Sequence, residues 1–246
     1  MVQVKNAERS RKNVWQMFDQ ISPRYDLLNH LLSFGADIHW RKKLIQYLPQ
    51  NPDIRLLDLA TGTADQLITI VKKAKQVKTA LGIDLSQEMI RQGQRKIIDK
   101  PFTHQITLMK GDATDISLGN ESVDCVTMSF GIRNVEDTDK CLRECMRVLT
   151  PRGKLLILEF SIPKNRLLKS FHLFYLRHIL PHIGGLISKQ KEAYRYLNET
   201  IETFPSGDNF CGLLKKAGFV RVKAYPMTFG VTTLYVGEKV PCQNEL

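Results

Sequence analysis

The chain has 246 residues, 43% hydrophobic and 25% charged, and its 36 Lys and Arg against 25 Asp and Glu give a net charge of +11. This composition excludes a disordered, low-complexity or repeat chain, and the length suits one large α/β core better than two separate ones. No apolar run reaches the roughly 18 residues of a spanning helix, and MVQVKNAERSRKNVW lacks the apolar core of a secretory signal, so the expectation is a cytoplasmic protein with anionic partners.

In chain order, a helical stretch through about Leu48 precedes an alternation of short β-branched or Leu-rich runs with amphipathic stretches, the pattern of a parallel sheet flanked by helices. The predicted strands are Arg55–Leu59, Thr79–Ile83, Ile106–Lys110, Val123–Met128, Lys154–Glu159, Val220–Tyr225 and Thr232–Glu238. Helical spacing recurs over Asp65–Ala74, Gln87–Ile98, where Ser86 is placed to cap, and Thr138–Leu149. Cys141 and Cys145 fall one turn apart on the last of these, as ordinary helix thiols. The five scattered cysteines point to reduced thiols rather than a disulfide framework. A short Pro-containing connection joins the last two strands and is too short for a crossover helix, so they should pair as an antiparallel hairpin. A mostly parallel seven-stranded α/β sheet ending in such a hairpin resembles the class I S-adenosylmethionine-dependent methyltransferase fold.

Three consecutive strand ends carry the candidate cofactor site. The first ends in LLDLATGTAD, where small residues and Gly62, free to adopt positive φ, let the backbone approach a ligand at a helix N-terminus. The second ends in GIDLS, placing the Asp84 carboxylate where it can accept both ribose hydroxyls of an adenosine. The third ends in KGDAT, where Asp112 can accept from an adenine amino group and the Ala113 N–H can reach a ring nitrogen. A dinucleotide dehydrogenase also uses a glycine turn followed by an acid, but the full G-x-G-x-x-G is absent and Asp112 has no role in it.

The blocks VWQMFDQISPRYDLLNHLLSFGADIHWRK, DLATGTAD, MSFGIRNVEDTDKCLRECMRVLTPRGKLLILEFSIP and AYRYLNETIETFP resemble the UbiE/MenG ubiquinone and menaquinone C-methyltransferases from about Val14 to Glu238. The combination of RYDLLN and LLSFG with SFGIRN is particular to that family. The resemblance implies S-adenosylmethionine as cofactor, contacted by Thr63, Asp84, Asp112, Ala113 and Ser129. It implies a polyprenylated hydroquinone as substrate, with demethylmenaquinol favoured by the GTAD turn. Residues 1–246 would then be a single methyltransferase domain, with 1–50 lining the substrate pocket and 161–198 forming a helical lid. Two departures stand out: Ala64 where the family usually has glycine, and Arg152 within the usual Pro-Gly-Gly.

Carbon methylation of a hydroquinone needs positioning and help in moving protons, and Tyr25, Arg133 and Asn134 are the catalytic candidates. Arg133 could steady a developing phenolate or deliver a water that acts as base, or it could pair with Glu136 or Asp137 and only fix its loop. Tyr25 could equally be a packed aromatic, and Asp26 and Asn29 loop caps. His172, His178 and His182 invite a metal reading, but Pro181 interrupts a helix presenting them together and methyl transfer needs no metal; the expectation is no metal.

The insertion carries seven Lys or Arg over Ser161–Asn198 against one acid, Glu192, beside LLKSFHLFYLRHILPHIGGLI. Such a mixture fits peripheral binding to an anionic membrane surface at the inner face of the cell membrane, with a buried core helix or a homodimer contact as alternatives. The basic residues surround Leu, Phe and Ile rather than forming an aromatic-interleaved stripe, which disfavours nucleic acid. An RNA or other small-molecule methyltransferase, and a non-catalytic S-adenosylmethionine-binding membrane-associated protein, are the competing functions.

Overall fold

The computed structural model describes residues 14–22, 25–182 and 191–240. Its centre is a seven-stranded sheet of β1 (Ile54–Leu59), β2 (Val77–Asp84), β3 (Ile106–Lys110), β4 (Val123–Ser129), β5 (Leu149–Phe160), β6 (Val220–Met227) and β7 (Thr232–Glu238), in the order β3-β2-β1-β4-β5-β7-β6. β1 to β5 run parallel, and β7 is antiparallel to both β5 and β6. The order reverses at β1 and β4, and open α/β sheets bind ligands beyond the carboxyl ends of strands at such a point.

Helices α1 (Val14–Ile21), α2 (Tyr25–Leu32) and α3 (Ala36–Leu44) precede the sheet. Between strands come α4 (Asp65–Lys73), α5 (Gln87–Ile97), α6 (Thr138–Val148), α7 (Arg166–Phe174), α8 (Lys191–Thr203) and α9 (Asp208–Lys216). On one face of the sheet Trp40, Leu44, Leu67, Ile70 and Ile90 share a core with β1 and β2 side chains; on the other, Cys141, Leu142, Cys145, Val148, Phe210 and Leu214 share one with side chains of β1, β4, β5 and β7. α6 shows how sequence makes the element: Asp137 accepts from the Lys140 N–H at 2.8 Å as its cap, and its buried residues recur at helical spacing. Ser86 caps α5 as expected, accepting from the Met89 N–H.

Two expectations need correction. Pro226 lies inside β6 rather than in the connection, which is the turn Thr228–Gly230; β6 is an edge strand, where proline's missing N–H interrupts no interior ladder. Pro181 does not stop the insertion helix. The path stays helical to His182 by widening into a π turn over Tyr175–Ile179, which accommodates the lost N–H and the ring ahead of the proline.

Both departures from the family pattern fall at left-handed backbone: Ala64 at φ 66° and Arg152 at φ 63°. Ala64 has a compensating contact, since a Cβ built on Gly93 of α5 would lie 3.3 Å from its methyl. Arg152 is exposed. A left-handed L-residue costs roughly 1–2 kcal/mol, of which glycine's extra unfolded entropy cancels roughly 0.4–1 kcal/mol.

Candidate functional site

The Gly62 turn after β1 adopts φ 56°, and its N–H donates to Asp84 Oδ2 at 2.8 Å while the Ser86 N–H donates to Oδ1 at 2.9 Å. Burial pushes the Asp84 carboxyl up to about 6 against those two bonds. Asp58, which the sequence left without a role, is fully buried beneath the turn. It accepts from Thr61 Oγ1 at 2.6 Å and Thr127 Oγ1 at 2.5 Å, tying β1 to β4, and burial pushes it up to about 6 as well. Gly131 completes the floor: a Cβ there would lie 2.6 Å from the Ala60 Cβ, so only glycine allows the turns after β1 and β4 to meet.

Above this floor lies a cavity of about 380 Å³, bordered by Gly62, Asp84, Asp112, Ala113 and Ser129. The Thr114 N–H donates to Asp112 Oδ1 at 2.7 Å, fixing that side chain, and Ser129 Oγ donates to Gln66 at 3.1 Å. Thr63 is elsewhere. It is buried, donates to Asp26 at 2.5 Å and accepts from Lys96 at 2.8 Å, and Lys96 bridges Asp26 and Asp65 at 2.5 and 2.6 Å. Asp26 is therefore a clamp holding α2 on the cofactor turn, not a loop cap. Asp19 does the same for α1, accepting from the Ser86 hydroxyl and from the Glu88 N–H. Through these clamps Trp15, Phe18 and Tyr25 roof the cavity.

A second cavity, of about 280 Å³, shares Phe18, Tyr25 and Phe130 with the first and is walled by Trp40, Phe160, Tyr175 and Leu176. Tyr25 stands between them. Burial raises its hydroxyl pKa, while a hydrogen bond with Asn29 and the charges of Arg133 and Arg41 oppose the rise. Arg133 borders the second cavity, but its partner is neither Glu136 nor Asp137. Its Nη1 donates to Glu159 Oε1 at 2.6 Å and to the Phe130 carbonyl at 2.7 Å, with the guanidinium 5.3 Å from the Phe160 ring centroid. Asn134 borders the first cavity and accepts from the Tyr196 hydroxyl of α8 at 3.2 Å. The sequence reading missed Trp40, Arg41, Phe160, Tyr175 and Tyr196, although Trp40 and Arg41 sit in the HWR of a quoted block.

A family model described as the ubiE/COQ5 methyltransferase family matches residues 2–239. The chain belongs to that family. A "Ubiquinone/menaquinone biosynthesis C-methyltransferase UbiE" of Geotalea daltonii is 40% identical over 96% of this chain and 99% of its own. A "Demethylmenaquinone methyltransferase" of Bacteroides fragilis is 38% identical over 95% of each. Among solved structures, a Thermotoga maritima S-adenosylmethionine-dependent methyltransferase aligns with a TM-score of 0.62 at 18% identity, covering 92% of this chain and 99% of that one. A Haemonchus contortus phosphoethanolamine N-methyltransferase in complex with S-adenosylmethionine aligns at 0.59 and 17%, covering 80% of this chain and 51% of that one. Membership bears out the resemblance read from RYDLLN, LLSFG and SFGIRN, and these structures bear out the class I fold. As a member of the ubiE/COQ5 family, the chain is an S-adenosylmethionine-dependent C-methyltransferase.

The first cavity suits that cofactor. Its volume lies in the range of small-molecule sites, Gly62 brings backbone close to it, and the Asp84 carboxylate edges it with no cationic partner among the described residues, which suits neutral hydroxyl donors.

Proposed function

We propose that this C-methyltransferase of quinone biosynthesis acts on demethylmenaquinol, yielding menaquinol, and takes it from a membrane surface. The observation that carries the reading is the pair of cavities meeting at Phe18, Tyr25 and Phe130, one edged by the strand ends and one walled by aromatic rings. Asp84 would hold the ribose hydroxyls, Asp112 and Ala113 the adenine, and Gly62 and Ser129 the remainder of the cofactor; Thr63 would act indirectly by fixing α2. S-Adenosylmethionine supplies an electrophilic methyl group that needs no further activation. The acceptor ring would lie among Trp40, Phe130 and Phe160, with the Arg133 charge steadying the developing phenolate and Tyr25 and Asn134 fixing the ring's position between the cavities.

In this reading the chain is one methyltransferase domain, with the described parts of 1–50 and 161–198 closing the acceptor side; residues 1–13, 23–24 and 183–190 of those segments lie outside the described residues. Labelled methyl from S-adenosylmethionine should appear on the ring carbon of short-tailed demethylmenaquinol, with a kcat/KM at least tenfold above that on a ubiquinone precursor. Equal rates on both, or label on oxygen, would overturn the substrate assignment.

The membrane reading rests on α7. Leu167, Phe171 and Phe174 are each more than half exposed, and Phe34, on the turn between α2 and α3, is 83% exposed with its ring 6.0 Å from that of Tyr175 in the acceptor wall. No helix among the described residues is long and apolar enough to cross a bilayer, which suits peripheral contact. Lys164 and Arg177 are engaged by Asp208 and Glu202, so apolar insertion should dominate over charge. Serine at Leu167, Phe171 and Phe174 should remove several kcal/mol of burial, at roughly 1.5–3 kcal/mol per fully buried side chain. Flotation with phosphatidylglycerol vesicles should then fall more than tenfold, with activity on a short-tailed quinol retained. Unchanged flotation, or a dimer that the substitutions dissociate, would assign this face to another use.

A further inference from the structure

One wall of the acceptor cavity carries a polar string that the roles above leave unused. Asp37 of α3 is 3% exposed; its Oδ1 accepts from Ser33 Oγ at 2.7 Å and its Oδ2 lies 2.8 Å from His30 Nδ1. Ser33 and Asp37 border the cavity, while the His30 side chain is 39% exposed. Three groups therefore connect the acceptor space to solvent. Besides His30, Asp37 has among the described residues a loose cationic partner, Arg41 Nε at 3.9 Å, in contrast to the 2.6 Å pair of Glu159 and Arg133. A carboxylate hydrogen-bonded to a hydroxyl at the cavity wall can accept a proton through that hydroxyl when a donor is brought to it.

We propose that Asp37, acting through Ser33, takes up the hydroxyl proton of the acceptor ring and releases it to solvent at His30; this rests on reading the second cavity as the hydroquinone site. The acceptor O–H breaks as its proton passes to Ser33 Oγ, and the proton of Ser33 moves to Asp37 Oδ1. The electron pair stays on the acceptor oxygen, so the ring carbon becomes the nucleophile. After the new carbon–carbon bond forms, the C–H bond at that carbon breaks, its electrons restore the aromatic ring and its proton restores the hydroxyl. One proton per methyl group remains on Asp37 and leaves by way of His30. Ser33 and Asp37 touch the acceptor space and are catalytic in this account, and His30 is a positioning and exit residue.

The test compares wild type with Asp37→Asn, Ser33→Ala and His30→Gln on soluble quinols of graded hydroxyl acidity, with S-adenosylmethionine affinity and thermal stability measured in parallel. Besides Asp37, the charged and titratable groups bordering this space among the described residues are Tyr25, Arg41, Arg133, His172, Tyr175 and Tyr196, with His30 behind Asp37, so each variant's pH profile is read against wild type. Asp37→Asn should lower kcat at least a hundredfold with cofactor Kd within twofold. Ser33→Ala, which keeps the carboxylate and the fold, should lose at least tenfold. Both deficits should shrink severalfold on the most acidic quinol, a recovery that a purely structural role would not give. An active wild type with variants that lose nothing, or lose equally on all quinols, overturns the proton path alone. A wild type that binds S-adenosylmethionine but methylates no quinol overturns the reading of the cavity and the proton path with it.

Discussion

Replacing Asp84 with alanine is expected to weaken S-adenosylmethionine binding by roughly two to four orders of magnitude. Two charge-assisted bonds at about 1.5–3 kcal/mol each are at stake, and about 1.4 kcal/mol is tenfold. The same carboxylate also accepts from the Gly62 and Ser86 N–H groups, so the substitution loosens the turn that borders the ligand. A pH signature accompanies the loss. Burial holds the Asp84 carboxyl at about 6, and hydroxyl donors favour its ionised form. Cofactor affinity should therefore be flat above about pH 7 and decline as pH falls through 6, towards tenfold per unit well below it. The stability of the ligand-free protein runs the other way. A carboxyl whose pKa is raised on folding contributes stability that is present in full below its unfolded pKa, near 4, and is lost as pH rises through 6, and Asp58 adds to this with the same sign. Calorimetric titration between pH 5 and 8, with melting curves of the free protein alongside, separates the two trends. An Asp84→Ala variant that binds as tightly as wild type would move the ribose site off the tip of β2.

What the sequence made readable was local. The strand-end motifs at Gly62, Asp84 and Asp112 could be placed because each joins an apolar run to a turn within ten residues, and the β6–β7 hairpin because its connection leaves no room for a helix. Partners distant along the chain were not readable. The resemblance implied a cofactor contact for Thr63, and nothing local showed that its hydroxyl donates to Asp26, 37 residues earlier. Asp19 and Ser86 meet across 67 residues, so the roof over the cofactor cavity had no sequence signal beyond acidic residues on short helices. The aromatic wall drawn from Trp40, Phe130 and Phe160 comes from a helix and two strand ends that only the sheet order brings together. The alternative weighed for Arg133 was a pair with acids three and four residues away in sequence, whereas β4 and β5 lie side by side and present Glu159 to it.

Replacing Glu159 with alanine is expected to destabilise the protein by about 3–5 kcal/mol, because it leaves a buried guanidinium without its counter-charge. The magnitude follows from the environment: Arg133 and Glu159 are 4% and 1% exposed, and Arg133 keeps only the Phe130 carbonyl and the face of Phe160 once the carboxylate is gone. Glu159 also accepts from the Phe160 N–H at 2.8 Å, so its removal frees a backbone donor at the end of β5. Arg133→Ala differs in kind. The remaining carboxylate keeps that N–H, so stability should fall less, while turnover should fall at least a hundredfold with cofactor affinity nearly unchanged, since Arg133 borders the acceptor cavity rather than the cofactor cavity. The double variant should be more stable than the sum of the single losses predicts, because neither charge is then left alone. Thermal unfolding of the four proteins tests the pair, and steady-state kinetics on a soluble quinol test the role of Arg133. Additive stability losses would mean that the ion pair is not what holds these residues in place. A full turnover number in Arg133→Ala would leave the guanidinium as a strut for the loop after β4 and place the stabilisation of the acceptor anion on Arg41, the other guanidinium bordering that cavity.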